Sequence, residues 1–342
     1  MVSKFFFAIL FLFSLQATTQ SGPTPTTIFY ELWTEFDKEY AGFEPRAIDW
    51  NQVKIKYQGQ VNNQMSDDAL FDLLHAMILE LNDAHVGMRA NINGEVRIAN
   101  SFNYPNATDI LKRYGTTDSF FITVDSTLWT AGFKEVIKVS DKVSYAYNGS
   151  VGYLRVNSFL NSKADYDEAL DKLLPCTPKA MIIDIRLNQG GTDYYLLKLA
   201  GRFLDKKIIG YHHATRISGT NDYTKLDTRN LAPASGEKYL RPTYVLTSNF
   251  TVSAAEVFAM VMKELPNVTL VGEPTNGSLS HVKQKKLSNG WEFSISHQRT
   301  YSADKVNYEG IGVPPDKLVK DVNSDLSKDL VLLNALALAL KL

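Results

Sequence analysis

Met181-Ile182-Ile183-Asp184-Ile185-Arg186-Leu187-Asn188-Gln189-Gly190-Gly191-Thr192-Asp193 is the stretch that decides the fold class. Met181–Ile185 is almost continuously apolar, the pattern of a strand covered on both faces. Two adjacent glycines follow, and Tyr194–Leu204 then returns to helical spacing. The same order extends outward in both directions. Val151-Gly152-Tyr153-Leu154-Arg155-Val156 reads as a strand, and Ala164–Leu174 as a helix ended by Pro175. Further on, Tyr244-Val245-Leu246-Thr247 reads as a strand, Ala254–Leu265 as a helix ended by Pro266, and Thr269-Leu270-Val271 as a strand. Strand and helix in repeated alternation predict an α/β core with a largely parallel sheet.

Toward the N-terminus the character differs. Ile28–Leu81 has helical apolar spacing, clearest in Asp67–Leu81, where two acids open the first turn. Residues 91–145 mix short alternating runs with Asn, Thr and Asp and read as β-rich or irregular. Residues 22–27 are rich in Gly, Pro and Thr and read as a linker. Before them, Lys4 precedes the apolar run Phe5–Phe13 and the mostly small, polar Ser14–Ser21. That order predicts a cleavable export signal over residues 1–20, since the run is too short to span a bilayer. The expected location is secreted or periplasmic, with no membrane span once the signal is removed. The division expected from these patterns is a signal at 1–20, a helical domain at 24–90, a connecting region at 91–150 and an α/β core at 151–342.

Hydrophobic residues make up 44% of the chain and charged residues 21%, the balance of a globular protein with a sizeable core. A formal net charge of −1, with no basic stripe or tail, argues against nucleic acid as a partner. Cys176 is the single cysteine, so no intrachain disulfide can form; for an exported chain this suits a bacterial periplasm or cell surface. Sequons begin at Asn106, Asn148, Asn249, Asn267 and Asn276 and would matter only in a eukaryotic secretory route. The six histidines form no HExxH or similar ligand spacing, so neither metal nor cofactor is implied.

Four segments carry residues suited to chemistry. Asn249–Val257 sets Ser253 between a strand and a helix, where free N–H groups and the positive helix end favour a developing anion. Ser253-Ala254-Ala255-Glu256 is equally a capping box. Asp184–Asp193 brings Gly190 and Gly191 to a strand–helix turn, where glycine lets backbone N–H groups approach a bound oxyanion; an ordinary turn looks the same. Glu80–Gly87 holds His85, whose side chain titrates where a general base must, or which merely ends a helix. Tyr308–Asp316 holds Glu309, a carboxylate able to orient a histidine, or a surface acid in a Gly/Pro turn.

Taken in order, these segments resemble the S41 serine peptidases, which comprise the C-terminal processing or tail-specific proteases and their tricorn-core relatives. The resemblance covers about Val151–Asp316 and the short segment around His85. Asp184–Gly191 is similar to the pattern Asp-x-Arg-x-Asn-x-Gly-Gly. Thr247–Ala259 is similar to the nucleophile region, Val271–Thr275 to the strand and turn that follow, and Gly310–Asp316 to the terminal Gly-Ile/Val-x-Pro-Asp signature. One departure selects the branch. The processing proteases place a lysine base in Gly-Glu-Pro-Thr-x-Gly-Lys, whereas Gly272–Gly277 is followed here by Ser278. The tricorn-like branch instead takes a histidine from an N-terminal segment and a glutamate before the Gly-Val-x-Pro-Asp run, and His85 and Glu309 match those places.

The resemblance implies a crotonase/ClpP-like α/β core preceded by an N-terminal helical domain that supplies His85 across a cleft. It implies a peptide or protein substrate. Ser253 would attack the scissile carbonyl, His85 would take its proton, Glu309 would orient His85, and the N–H groups of Ala254 and of Gly190 or Gly191 would hold the oxyanion. In tricorn-type sites a further serine links histidine to glutamate; here Ala84 precedes the histidine, and Ser278 is another candidate. Residues 91–145 show no PDZ-type carboxylate-binding loop. Two rivals stand beside this reading: a non-catalytic binding module of the same fold for hydrophobic ligands or peptides, and an enzyme whose base is His281, with Lys283, Lys285 and Lys286 nearby.

Overall fold

The alternating strands and helices assemble as a seven-stranded sheet with helices on both faces. The structure is a computed structural model that describes residues 22–102, 113–320 and 325–341. The chain opens with helices α1 (Pro25–Glu39), α2 (Trp50–Gln58) and α3 (Asp67–Leu79), then strands β1 (Gly87–Ile92) and β2 (Glu95–Asn100). Helix α4 (Thr117–Thr130) leads to β3 (Ile137–Lys138), β4 (Val143–Tyr147), β5 (Val151–Val156), α5 (Lys163–Leu173), β6 (Ala180–Asp184) and α6 (Asp193–Ala200). There follow β7 (Ile208–Thr215), β8 (Asp227–Leu231), β9 (Thr243–Thr247), α7 (Ala254–Lys263) and β10 (Val268–Gly272). The remainder is β11 (Val282–Lys286), β12 (Glu292–Ser296), β13 (Gln298–Ser302), β14 (Lys317–Leu318) and α8 (Leu330–Ala339).

The large sheet runs β14-β10-β9-β6-β5-β4-β3. β14, β10, β9, β6 and β5 are parallel neighbours, and the hairpin of β4 and β3 closes one edge antiparallel. Strand β6 explains its own sequence. Met181 and Ile183 point into a core with α5, α6 and α7, while Ala180 and Ile182 point into a second core with α4 and α8. Both faces are dry, so alternation would be wrong there.

Two departures from the sequence reading concern the less regular segments. Thr117–Thr130 is a helix although it is rich in Thr, Val, Ile and Phe, which favour strands. The Thr116 side chain caps it by accepting from Ser119 N–H, and Phe120, Val124 and Leu128 at four-residue spacing bury one face; tertiary packing overrides local propensity. The second departure is long-range. Helices α1–α3 do not pack only on each other. They cover a four-stranded antiparallel sheet, β11-β12-β1-β2, half of which returns from Val282–Ser296. Trp291, Phe293 and Ile295 join Phe36, Leu74 and Met77 in its core. The export signal expected over residues 1–20 and the sequon at Asn106 lie outside the described residues.

Candidate active site

The site begins at the carboxyl ends of the adjacent parallel strands β6 and β9, which pair Asp184 with Leu246. Crevices at this end of an α/β sheet are where such folds bind ligands. The loops leaving the two strands are laced together. Ser248 Oγ donates to Arg186 O at 2.6 Å, Thr251 Oγ1 to Ile185 O at 3.1 Å, and Val252 N to Asn188 O at 3.0 Å. Asn188 is fully committed as a brace: its amide donates to Val156 O and its carbonyl accepts from Gly190 N–H at 2.8 Å. Arg186 is a buried strut, bound to Asp184 and Asp329 and stacked over Phe120.

Ser253 sits at the N-terminus of α7 with φ 62° and ψ −127°, a backbone conformation that non-glycine residues rarely adopt. Its N–H donates to Ser278 O at 3.2 Å and to Glu256 Oε2 at 3.0 Å. Glu256 is wholly buried and also accepts from Thr275 Oγ1, Gly277 N and Ser278 N, so it ties the helix start to the loop at 275–278. Burial pushes its carboxyl up to about 7. Gly190 (φ 97°) lies directly against the serine: a Cβ there would stand 2.7 Å from Ser253 Cβ.

The sequence reading offered Gly190 or Gly191 as oxyanion donor beside Ala254. Gly190 N–H is taken by Asn188 Oδ1, which removes it from that role. The N–H groups of Gly191 and Ala254 donate to no acceptor among the described residues. Both residues line a cavity of about 340 Å³ with Ser253, Val257, Leu279 and His281.

His85 is carried by the turn that ends α3. Asn82 (φ 44°) reverses the chain, and buried Asp83 accepts His85 N–H at 2.9 Å. Ala84 N–H donates to Ser278 Oγ at 3.2 Å, so the turn docks on the loop that also holds Ser253. His85 Nδ1 is buried and has no hydrogen-bond partner among the described residues. Burial lowers the imidazole pKa below its ordinary value; Asp83 opposes this, and the charges of Arg46 and His281 add to it.

Glu309 was expected to orient His85, and it does not touch that ring. Both its oxygens are engaged elsewhere: Oε1 accepts from Arg46 Nη2 at 2.7 Å and Oε2 from Leu279 N at 3.0 Å. Burial drives its carboxyl up to about 7, and Arg46 resists that shift. The carboxylate acting most strongly on His85 is instead Asp83, which also accepts from Tyr40 and Ser296. Burial would raise Asp83, but Arg46 and then His85 outweigh it and hold the carboxyl below its usual range.

Sequence reasoning missed Arg46 and the part played by Asp83. Asp83 stood in view two residues before His85, in a pattern compatible with a side chain closing its own turn. Arg46 lies in Gly-Phe-Glu-Pro-Arg, which carries no local signal.

Of the two candidate histidines, it is His281 that lines the cavity holding Ser253. His281 Nε2 is 3.2 Å from Asp193 Oδ2, and Asp193 also accepts from Tyr211. The Asp193 hydrogen bond raises the His281 pKa above its ordinary value. Among the described residues, no group of three or more His, Cys, Asp or Glu is gathered to hold a metal ion.

Residues 150–319 match peptidase family S41, and residues 24–78 match the tricorn protease C1 domain. The chain is 28% identical over 167 residues to the chloroplastic carboxyl-terminal-processing peptidase 2 of Arabidopsis thaliana, covering 48% of this chain and 31% of that protein. It is 27% identical over 202 residues to the carboxy-terminal-processing protease of Bartonella bacilliformis, covering 58% and 45%. The chain thus spans less than half the length of either relative. A crystal structure of a protein from Parabacteroides merdae superposes with TM-score 0.77 at 26% identity, over 93% of this chain and 97% of that one.

Proposed function

Because the chain belongs to peptidase family S41, we propose that it hydrolyses peptide bonds by acyl transfer, with Ser253 as nucleophile and His85 as general base. The observation that carries this reading is the Ser253 turn. A serine at φ 62° opens a helix, Gly190 presses on its Cβ, and the uncommitted N–H groups of Gly191 and Ala254 line the same cavity. Such donors are worth most where charge develops in a water-poor cleft.

In the proposed sequence His85 accepts the Ser253 proton as Oγ bonds to the scissile carbonyl carbon. Gly191 and Ala254 hold the resulting oxyanion. His85 then returns the proton to the leaving amine, and water hydrolyses the acyl-enzyme by the same route. The lowered His85 pKa supports this role, since burial favours the neutral ring, the form able to accept a proton. Asp83 stabilises the imidazolium, while Glu309 acts on it only through Arg46. The substrate is a peptide or protein chain, and the protein works after export. No helix among the described residues is long and apolar enough to cross a membrane.

His281 is the second reading for the base, because it lines the cavity that holds Ser253 and is hydrogen-bonded to Asp193. Labelling with a fluorophosphonate probe tests the whole proposal. Wild type is expected to label and to cleave members of a peptide library, and Ser253→Ala to do neither. Equal labelling of both proteins, or of neither, would return the chain to a non-catalytic binding role.

A further inference from the structure

We infer that Arg46 is the positioning residue that locks the His85 turn onto the Ser253 turn. The inference rests on the proposed peptidase reading and adds to it the group that assembles its two halves.

The argument is geometric. Arg46 is 93% buried at its side chain, and its guanidinium reaches both sides of the cleft. Nη1 donates to Asn82 O, in the turn that carries His85. Nη2 donates to Gly277 O at 2.6 Å, Ser278 Oγ at 3.2 Å and Glu309 Oε1 at 2.7 Å. Ser278 O in turn accepts Ser253 N–H, and Ser278 Oγ accepts Ala84 N–H. One planar fork therefore joins the peptide before Asp83 to the loop hydrogen-bonded to the nucleophile. A lysine ammonium is a point charge and cannot present two divergent donors in fixed directions.

The surroundings are built for this side chain. Gly310 (φ 80°) leaves room for it, since a Cβ there would stand 3.1 Å from Arg46 Cγ and 3.2 Å from Pro45 O. The loop bearing Arg46 holds Ala47 at φ 53°, and backbone bonds from Arg46 N to Gly42 O and from Ile48 N to Phe43 O fix its course. Two buried carboxylates, Asp83 at 3.8 Å and Glu309 at 2.7 Å, flank the cation. Arg46 thus brings a positive charge beside Ser278.

The charged and titratable groups acting on the His85 ring are Asp83, Arg46 and His281, and those acting on Arg46 include Asp83, Tyr40 and Glu309. Deleting the Arg46 charge removes a repulsion from the His85 cation and leaves Asp83 less neutralised. Both changes raise the His85 pKa. A residue that served only to stabilise the fold would leave the pH profile of the folded fraction in place.

The test compares Arg46→Gln, Arg46→Lys and Ser278→Ala with wild type in the full chain, using fluorophosphonate labelling and a cleaved library peptide. Arg46→Gln is expected to lower kcat about a hundred-fold, with KM moving far less, because a displacement of about 1 Å between base and nucleophile suffices for that loss. Its acid limb in kcat/KM should move to higher pH. Arg46→Lys should keep the limb in place and recover only part of kcat. Ser278→Ala leaves Arg46 its other three partners and should lower kcat roughly ten-fold, with faster amide exchange at Ala84. Should Arg46→Gln not fold, Arg46→Lys and Ser278→Ala decide, and wild-type kcat in both overturns the inference. Folded Arg46→Gln with wild-type kcat and an unmoved acid limb also overturns it, while leaving the peptidase reading intact. A wild type that neither labels nor cleaves overturns both.

Discussion

The two walls of the cleft are made differently. The Ser253 wall is backbone: two parallel strands end side by side, glycines and a serine at positive φ turn the chain, and Asn188 and Glu256 spend their side chains on main-chain N–H and C=O groups. The His85 wall is side chain: a helix-end turn is held by Asp83, Arg46, Ser278 and Glu309, which come from segments up to 263 residues apart. Backbone donors keep their direction whatever the surrounding charge. Buried ionised groups depend on one another, and removing one partner leaves an uncompensated charge. The Ser253 wall should therefore fail by strain and the His85 wall by electrostatics.

The sharpest way to break this contrast is to exchange the histidines. His85→Ala should lower kcat/KM by about a thousand-fold or more, within the range of general-base catalysis, while His281→Ala should cost much less. The acid limb gives an independent check. It should fall below the ordinary histidine pKa if His85 is the base, because burial depresses that ring, and above it if His281 is the base, because Asp193 raises that one. Full activity in His85→Ala would move the base to the other histidine.

The next effect belongs to the Ser253 wall. Gly190→Ala places a methyl 2.7 Å from Ser253 Cβ at a φ that disfavours any side chain. It should lower stability by roughly 1–3 kcal/mol and turnover by about a hundred-fold, read by thermal unfolding and peptide cleavage. This loss should be independent of pH, unlike that of Arg46→Gln.

The smallest effect concerns stability against pH. Glu309 has a folded-state pKa of about 7, above the unfolded value near 4.5. Its contribution is fully present below the unfolded pKa and is lost as pH rises toward the folded one. His85 acts with the opposite sign over part of the same window, so the difference between wild type and Glu309→Gln isolates the carboxyl. The variant should lose less Tm between about pH 4.5 and pH 7 than wild type does. Parallel curves would mean that Arg46 keeps Glu309 ionised throughout.

How much was legible follows the same division. Strand β6, its glycine turn and the start of α7 could be read because each depends on neighbours in sequence: apolar runs for a doubly covered strand, glycine for a positive φ, Ser and Glu three apart at a helix start. Helix α4 was misread because its β-branched residues are helical only by virtue of the core they fill. The partner that takes Glu309 was out of view for a related reason. Conformity to a spacing does not reveal a third group that takes the carboxylate first, and Arg46 stands 263 residues before Glu309.

The sequence by itself determined the parallel α/β core, the strand–turn–helix that carries Ser253, and a serine rather than a lysine at position 278, because these are properties of short continuous segments. Only the tertiary structure decided which glycine keeps a free N–H, which acid acts on His85, and that strands β11 and β12 return to complete the N-terminal sheet. Those outcomes hinge on competition for a buried hydrogen bond or charge, and the winner is set by which distant groups the fold brings within reach.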